Sequence, residues 1–157
     1  MKKLLVLTLM SLLFFVCSKA QVSNQELGLI GSILKSEIKV YFAQNIELAT
    51  HEAEAFWAIY DEYEVNLKPI SEQRIKLLKR IIDKGGELAE SELDAEILSL
   101  NKIVKKRQAL RIKYYKIFKK KQGVRVASQF YQIDGYIYTR IAASLNESMP
   151  LVVPTKE

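Results

Sequence analysis

A chain of 157 residues, 49% of them hydrophobic, with 24 Lys and Arg against 18 Asp and Glu, is long enough for one packed domain and carries a formal charge of +6. Lys2, Lys3 and Lys19 lie in the first 20 residues, and without them the charge is +3, too mild to argue for nucleic acid. A single cysteine and a single histidine exclude a disulfide framework within the chain and any multi-histidine metal centre.

The N-terminal stretch MKKLLVLTLMSLLFFVCSKA has a positive start, an apolar run from Leu4 to Val16, and small residues at Ser18 and Ala20. That pattern predicts a secretory signal peptide over 1–20, cut before Gln21. The apolar run is 13 residues, short of the roughly 20 a membrane-spanning helix needs. A lipidated Cys17 would need a small residue before it, and Val16 stands there. Cleavage would leave 21–157 as a single soluble domain in the periplasm, without cysteine and so without thiol chemistry.

The remaining chain has helical periodicity throughout, and glycine and proline fall mostly where helices should stop. A first helix is predicted over 24–45, with Leu27, Ile30, Leu34, Ile38 and Tyr41 at three- and four-residue steps. A second starts near Thr50. Its stripe runs Ala53, Phe56, Tyr60, Tyr63, Leu67, Ile70, Leu77 and Ile81, the spacing of a helix packed in coiled-coil fashion. Pro69 predicts a kink or a break within it. Gly85-Gly86 stops it, and Ser91, with Asp94 three residues on, is the expected cap of a third helix. Leu93, Ile97, Leu100, Ile103, Leu110, Tyr114 and Ile117 are that helix's apolar stripe. Gly123 marks a further break. A fourth helix carries Ala127, Phe130, Ile137, Ile141 and Leu145, and Pro150 stops it.

The charges are segregated. From residue 47 to 96 there are 13 acids and 6 bases; from 97 to 133 there are no acids and 11 bases. Folding back near 86–91 would bring together positions whose numbers sum to about 177. Asp61, Glu62 and Glu64 would then lie near Tyr115, Lys116 and Lys113, Glu54 near Lys121, and Glu72 near Lys105. The bases are either neutralised across this antiparallel hairpin, each exposed pair contributing about 0–1 kcal/mol, or they form an electropositive surface for an acidic partner. Phe56, Tyr60 and Tyr63 are expected in the hairpin core or a dimer contact. Trp57, off that stripe, is the candidate for a second contact.

No arrangement of catalytic residues is visible. His51 has no second histidine to work with, no nucleophile–base pair can be assembled around it, and no glycine-rich phosphate loop is present. The chain is read as a binding protein rather than an enzyme, with no catalytic residue, no metal and no cofactor.

The stretch LATHEAEAFWAIYDEYE, 48–64, resembles the region around the LTxxQ motif of the Spy/CpxP-like family of exported helical stress proteins. Leu48 matches the motif leucine; Ala49 and Glu52 stand where that family has threonine and glutamine. Phe56, Trp57, Tyr60 and Tyr63 match an FWxxYxxY continuation. ASQFYQI, 127–133, resembles the second motif region, its own LTxxQ altered to QGVRV at 122–126, and MPLVVP, 149–154, resembles the ending of one branch. The loss of threonine at Ala49 removes a helix cap, which Thr50 could supply one residue later. The resemblance implies an all-α fold of four helices with a long antiparallel helical hairpin, assembled as a cradle-like homodimer. It implies an ATP-independent periplasmic chaperone or envelope stress-response factor, binding unfolded or partly folded envelope proteins. The alternative is a signalling adaptor or sensor acting on a membrane-bound sensor kinase or anti-sigma factor; metal sensing would need several histidines. The expected client or partner surface is Lys105, Arg107, Arg111, Lys113, Tyr115, Lys116, Phe118 and Lys119. A third possibility is a purely structural envelope coiled coil.

Overall fold

The computed structural model describes residues 36–84 and 87–148. The expected signal peptide, Cys17, most of the predicted first helix, the Gly85-Gly86 stop and the MPLVVP segment lie outside the described residues. The chain divides into two compact units between Tyr41 and Phe42. Residues 36–41 of the first are helical; all that follows concerns the second.

The described residues contain helices and no strand, so the fold is all-helical. Among the described residues there are three helices rather than four. These are α1 (36–45), α2 (Thr50–Lys84) and α3 (Glu90–Ser148). The expected third and fourth helices are one 59-residue element in which Gly123 alone leaves helical geometry, at φ 87° and ψ 171°. One residue suffices for the break, so no loop separates the two parts. Positive φ is reached freely by glycine and at a cost by other residues. The consequence is a reversal of direction. In an uninterrupted helix residues 107 and 134 would stand about 40 Å apart, yet Arg107 Nη2 is 2.8 Å from Asp134 Oδ2. The leading arm, 90–122, and the returning arm, 124–148, therefore lie side by side.

Both long helices start in the same way. Glu52 Oε2 accepts the backbone N–H of Ala49 at 2.8 Å, and Glu92 Oε2 accepts that of Ala89 at 3.2 Å. Each is half a capping box: the glutamate at the third helical position reaches back, while the alanine at the cap offers no side chain in return. The expected caps are thereby corrected. Ser91 sits inside the first turn of α3, and Thr50 is the first helical residue of α2 rather than its cap. Nor does Pro69 break α2, which is helical from Thr50 to Lys84. Pro69 is exposed, and so is Val65, whose carbonyl loses its helical partner. Water can satisfy that oxygen, which lowers the cost of an internal proline.

The core of the second unit is aromatic where the end of α1 from Phe42 on, α2 and both arms of α3 meet. Phe42, Phe56, Tyr60, Tyr63, Tyr114, Phe118 and Phe130 are all buried. Phe56 stacks on Phe118 at 5.0 Å between ring centroids, Phe118 meets Phe130 at 4.5 Å, and Tyr63 meets Phe130 edge-on at 5.1 Å. Each such ring contributes about 1.5–3 kcal/mol by burial, and each ring pair about 0.5–1.5 kcal/mol more. Val126 and Ala127 are small enough to bring the returning arm close at the turn. Towards the far ends of α2 and the leading arm the buried set becomes aliphatic: Leu78, Ile81, Leu88 and Ile103.

Contacts between α2 and α3 pair low numbers with high ones. Gln122 Nε2 donates to the Glu52 carbonyl at 2.7 Å, Tyr114 Oη to Glu62 Oε1 at 2.8 Å, and Arg80 Nη1 meets Glu96 Oε1 at 2.9 Å. At the Gly123 turn, Arg125 grips Glu52 with Nη2 at 2.8 and 2.6 Å from its two carboxylate oxygens, and its Nη1 donates to the Glu47 carbonyl. The Glu47 N–H in turn donates to Gln129 Oε1 at 3.2 Å. The two stretches that resemble motif regions, 48–52 and 122–126, are thus fastened to each other.

Candidate functional site

The residues expected on a binding surface separate into two groups. Phe118 is fully buried among Phe56 and Phe130, so it is core and not surface. Arg107 and Arg111 have side chains only 11% and 13% exposed and point between the arms. Tyr115 is half-buried, with its ring 5.8 Å from Tyr131. Lys105, Lys113, Lys116 and Lys119 are exposed. Phe56, Tyr60 and Tyr63 are buried, as core residues should be. Trp57 is half-buried and packs edge-on against Phe56 and Tyr60 at 5.1 and 5.5 Å.

The two arginines converge on an acid that composition and stripe-counting had not singled out. Asp134, 4% exposed, accepts from Arg107 Nη2 at 2.8 Å and from Tyr63 Oη at 2.8 Å, with Arg111 Nε at 3.2 Å. Arg111 Nη2 also donates to the Tyr131 carbonyl. The guanidinium of Arg111 lies 3.5 Å over the Tyr131 ring and that of Arg107 3.9 Å over Tyr138, so both cations are also stacked. Gly135 makes room for this. A Cβ there would come within 3.0 Å of Arg111 Cζ. The arrangement ties α2, the leading arm and the returning arm through one carboxylate. A signal was available, since Asp134 is the first acid after the acid-free stretch and lies four residues after Phe130 and three before Ile137. It therefore sits on the apolar stripe itself, where an acid needs a partner.

These contacts perturb the phenols. Burial, then the neighbouring Asp134 charge, raises the Tyr63 phenol far above its ordinary range. Tyr60 is raised likewise by burial and then by Glu64. Tyr114 is pushed up to about 12, by burial first and then by its hydrogen bond to Glu62. Glu52 is lowered, first by the Ala49 N–H and then by Arg125.

The expected ion pairs of Glu54 with Lys121 and of Glu72 with Lys105 are not formed among the described residues. Glu72 pairs with Lys68 in its own helix at 3.9 Å, rather than with Lys105. Glu62 takes the Tyr114 hydroxyl, and no Glu54–Lys121 pair is present among the described residues. The interhelical ion pairs use arginines: Arg80–Glu96, Arg125–Glu52, and Arg107 and Arg111 with Asp134. Lys102, Lys105, Lys106, Lys116, Lys119, Lys120 and Lys121 are exposed and hold no ion pair among the described residues.

Part of that unneutralised charge borders a surface groove of about 450 Å³ between α2 and the leading arm. Lys76, Arg80, Lys102 and Lys106 line it, over a floor that includes Leu77 and Ile103. Glu96, its one acid, is already engaged by Arg80. Gln73 and Ser99 add neutral polar groups. Of the residues expected on a binding surface none lines this groove; Lys105, Lys113, Lys116 and Lys119 are exposed elsewhere on the leading arm. The arrangement can attract negative charge and bury a few apolar groups. No group of three or more His, Cys, Asp or Glu that could hold a metal ion occurs among the described residues. No family model, curated protein or solved structure matches this chain.

Proposed function

We propose that this protein is an exported, ATP-independent holding chaperone or envelope stress-response factor that binds unfolded or partly folded polypeptide along its basic helical surface. In this reading α2 and the leading arm form a long antiparallel hairpin, the returning arm serves as the fourth helix, and two copies assemble as a cradle-like homodimer. The carrying observation is the groove: Lys76, Lys102 and Lys106 around an apolar floor, with its one acid, Glu96, already paired to Arg80. Long-range charge speeds capture of a chain with exposed acidic segments, and the apolar floor adds a weak, sequence-tolerant contact. Weakness suits a holder, which must release what it binds without nucleotide.

The test is suppression of aggregation of a chemically denatured model protein, followed by light scattering with equimolar protein and no nucleotide. Suppression that fades as salt rises supports the reading, because the capture term is screened over about 8–10 Å at physiological ionic strength. A folded, helical protein that suppresses nothing would shift the assignment to the signalling alternative, and a membrane-bound partner would then be sought.

A further inference from the structure

The exposed lysines of the leading arm are not scattered evenly around it. At about 100° per residue, Lys102, Lys106, Lys113, Lys116 and Lys120 fall within about 80° of one another, along about 27 Å of helix. All five are exposed, and none holds an ion pair among the described residues. Lys113 stands 5.5 Å from the centre of the Tyr114 ring and keeps its charge open. Ile103, Tyr114 and Phe118, buried on the same arm, lie roughly 100–160° further round the axis. Arg111 and Tyr115, which meet Tyr131 of the returning arm, lie further still. The lysines therefore form a ridge on the side that neither the core nor the returning arm covers.

No acid of the same arm answers them, since 97–133 contains none. Two carboxylates at the α2 interface are engaged elsewhere: Glu62 takes the Tyr114 hydroxyl and Glu96 holds Arg80. Leu98, four residues before Lys102 and 51% exposed, adds an apolar side chain to the ridge. The ridge and the groove differ in shape. The groove is concave and takes in Lys102 and Lys106, while Lys113, Lys116 and Lys120 stand beyond it. A row of charges along the outside of a helix is convex, so a partner that meets all five at once must be flat over about 27 Å. Lysine suits a fluid anionic layer, because a hydrated ammonium on a flexible stem follows mobile headgroups without a fixed geometry.

We propose that this lysine ridge docks on an anionic lipid bilayer, with the leading arm lying parallel to the membrane surface. The contact is peripheral, since no helix among the described residues is long and apolar enough to cross a membrane. Each lysine brought up to such a surface strengthens binding about fivefold. The attraction is screened over about 8–10 Å at physiological ionic strength. Client capture in the groove is a separate claim, and neither depends on the other.

The test is co-sedimentation of the purified protein with vesicles of phosphatidylcholine alone and of phosphatidylcholine mixed with phosphatidylglycerol. The readout is the ratio of the two partition coefficients, in which contributions common to both vesicles divide out. At low salt the ratio should be on the order of a thousandfold if all five lysines engage, and it should fall as salt rises. Lys113→Gln, Lys116→Gln and Lys120→Gln together should lower it by about a hundredfold. These side chains are exposed and glutamine is a good helix former, so helicity should be unchanged by circular dichroism. Lys84→Gln, Lys119→Gln and Lys121→Gln remove the same charge away from the ridge and should lower the ratio by less than about tenfold. A ratio near one, or an equal loss in the two variants, would overturn the proposal. So would release of the protein from the mixed vesicles by polyglutamate at equal total charge, which would assign the ridge to an acidic polypeptide instead.

Discussion

Asp134 carries three neighbours on one carboxylate, and its removal would leave Arg107 and Arg111 buried without their counter-charge. Asp134→Ala is therefore expected to destabilise the protein by about 3–5 kcal/mol, measured by urea denaturation followed by circular dichroism. A loss under 1 kcal/mol would show that the stacking on Tyr131 and Tyr138 suffices to hold the arginines. Tyr114 makes a prediction at the other end of the pH scale. Its phenol is protonated in the fold up to about 12, while an unfolded tyrosine ionises near 10. The raised value means its contribution is complete below pH 10 and is lost as pH rises through 12. Tyr114→Phe should remove that part of the alkaline loss between pH 10 and 12, though not the share due to Tyr60 and Tyr63. At this scale the sequence was partly legible. The rings of the α2 stripe could be assigned to the core by period alone. Arg107, Arg111 and Phe118 could not be assigned, because a helix covered by two neighbours buries more than one stripe, and a run dense in bases hides which of them turn inward.

The helix ends and the turn are decided by single residues. Gly123 at φ 87° admits no other residue without strain, although a Cβ there would meet nothing within 4 Å. Gly123→Ala should cost about 1–3 kcal/mol through the backbone alone, read as a shift in thermal midpoint with the folded helix content unchanged. The break at Gly123 was legible, since glycine between two periodic stretches is a direct signal. That it is a one-residue reversal and not a loop was not, because period gives no distance between elements. The caps were misplaced for a related reason. Ser and Thr are the usual cap residues, but here Ala49 and Ala89 occupy the caps and the glutamates three residues on supply a side-chain bond. Glu52 has its carboxyl lowered in the fold, so its contribution is present above the ordinary carboxylate range and is lost as pH falls through the folded value. Glu52→Gln should weaken the protein at neutral pH and make its stability less dependent on acid, seen in urea titrations at pH 7 and pH 3.

Over the whole molecule the arrangement of charge is the feature on which the proposed function rests. The acid-poor half of the sequence was visible in composition, and so was the choice between a neutralised helix and an open positive surface. Among the described residues arginines form the interhelical pairs, while the exposed lysines between 102 and 121 stay outside them. Planar guanidinium forks suit fixed pairing with carboxylates, and a flexible, strongly hydrated ammonium suits loose attraction. The groove lay beyond sequence reading, since Lys76 and Arg80 come from the acid-rich half and reach Lys102 and Lys106 only once α2 and α3 are side by side. The measurement that tests the account most directly is suppression of aggregation by the protein and by a Lys76→Glu, Lys102→Glu, Lys106→Glu variant, compared at low and physiological salt with helicity matched by circular dichroism. The account predicts that the parent suppresses scattering, more strongly at low salt, and that the variant loses most of that effect while staying helical. Equal suppression by both would contradict the claim that the basic groove holds the client.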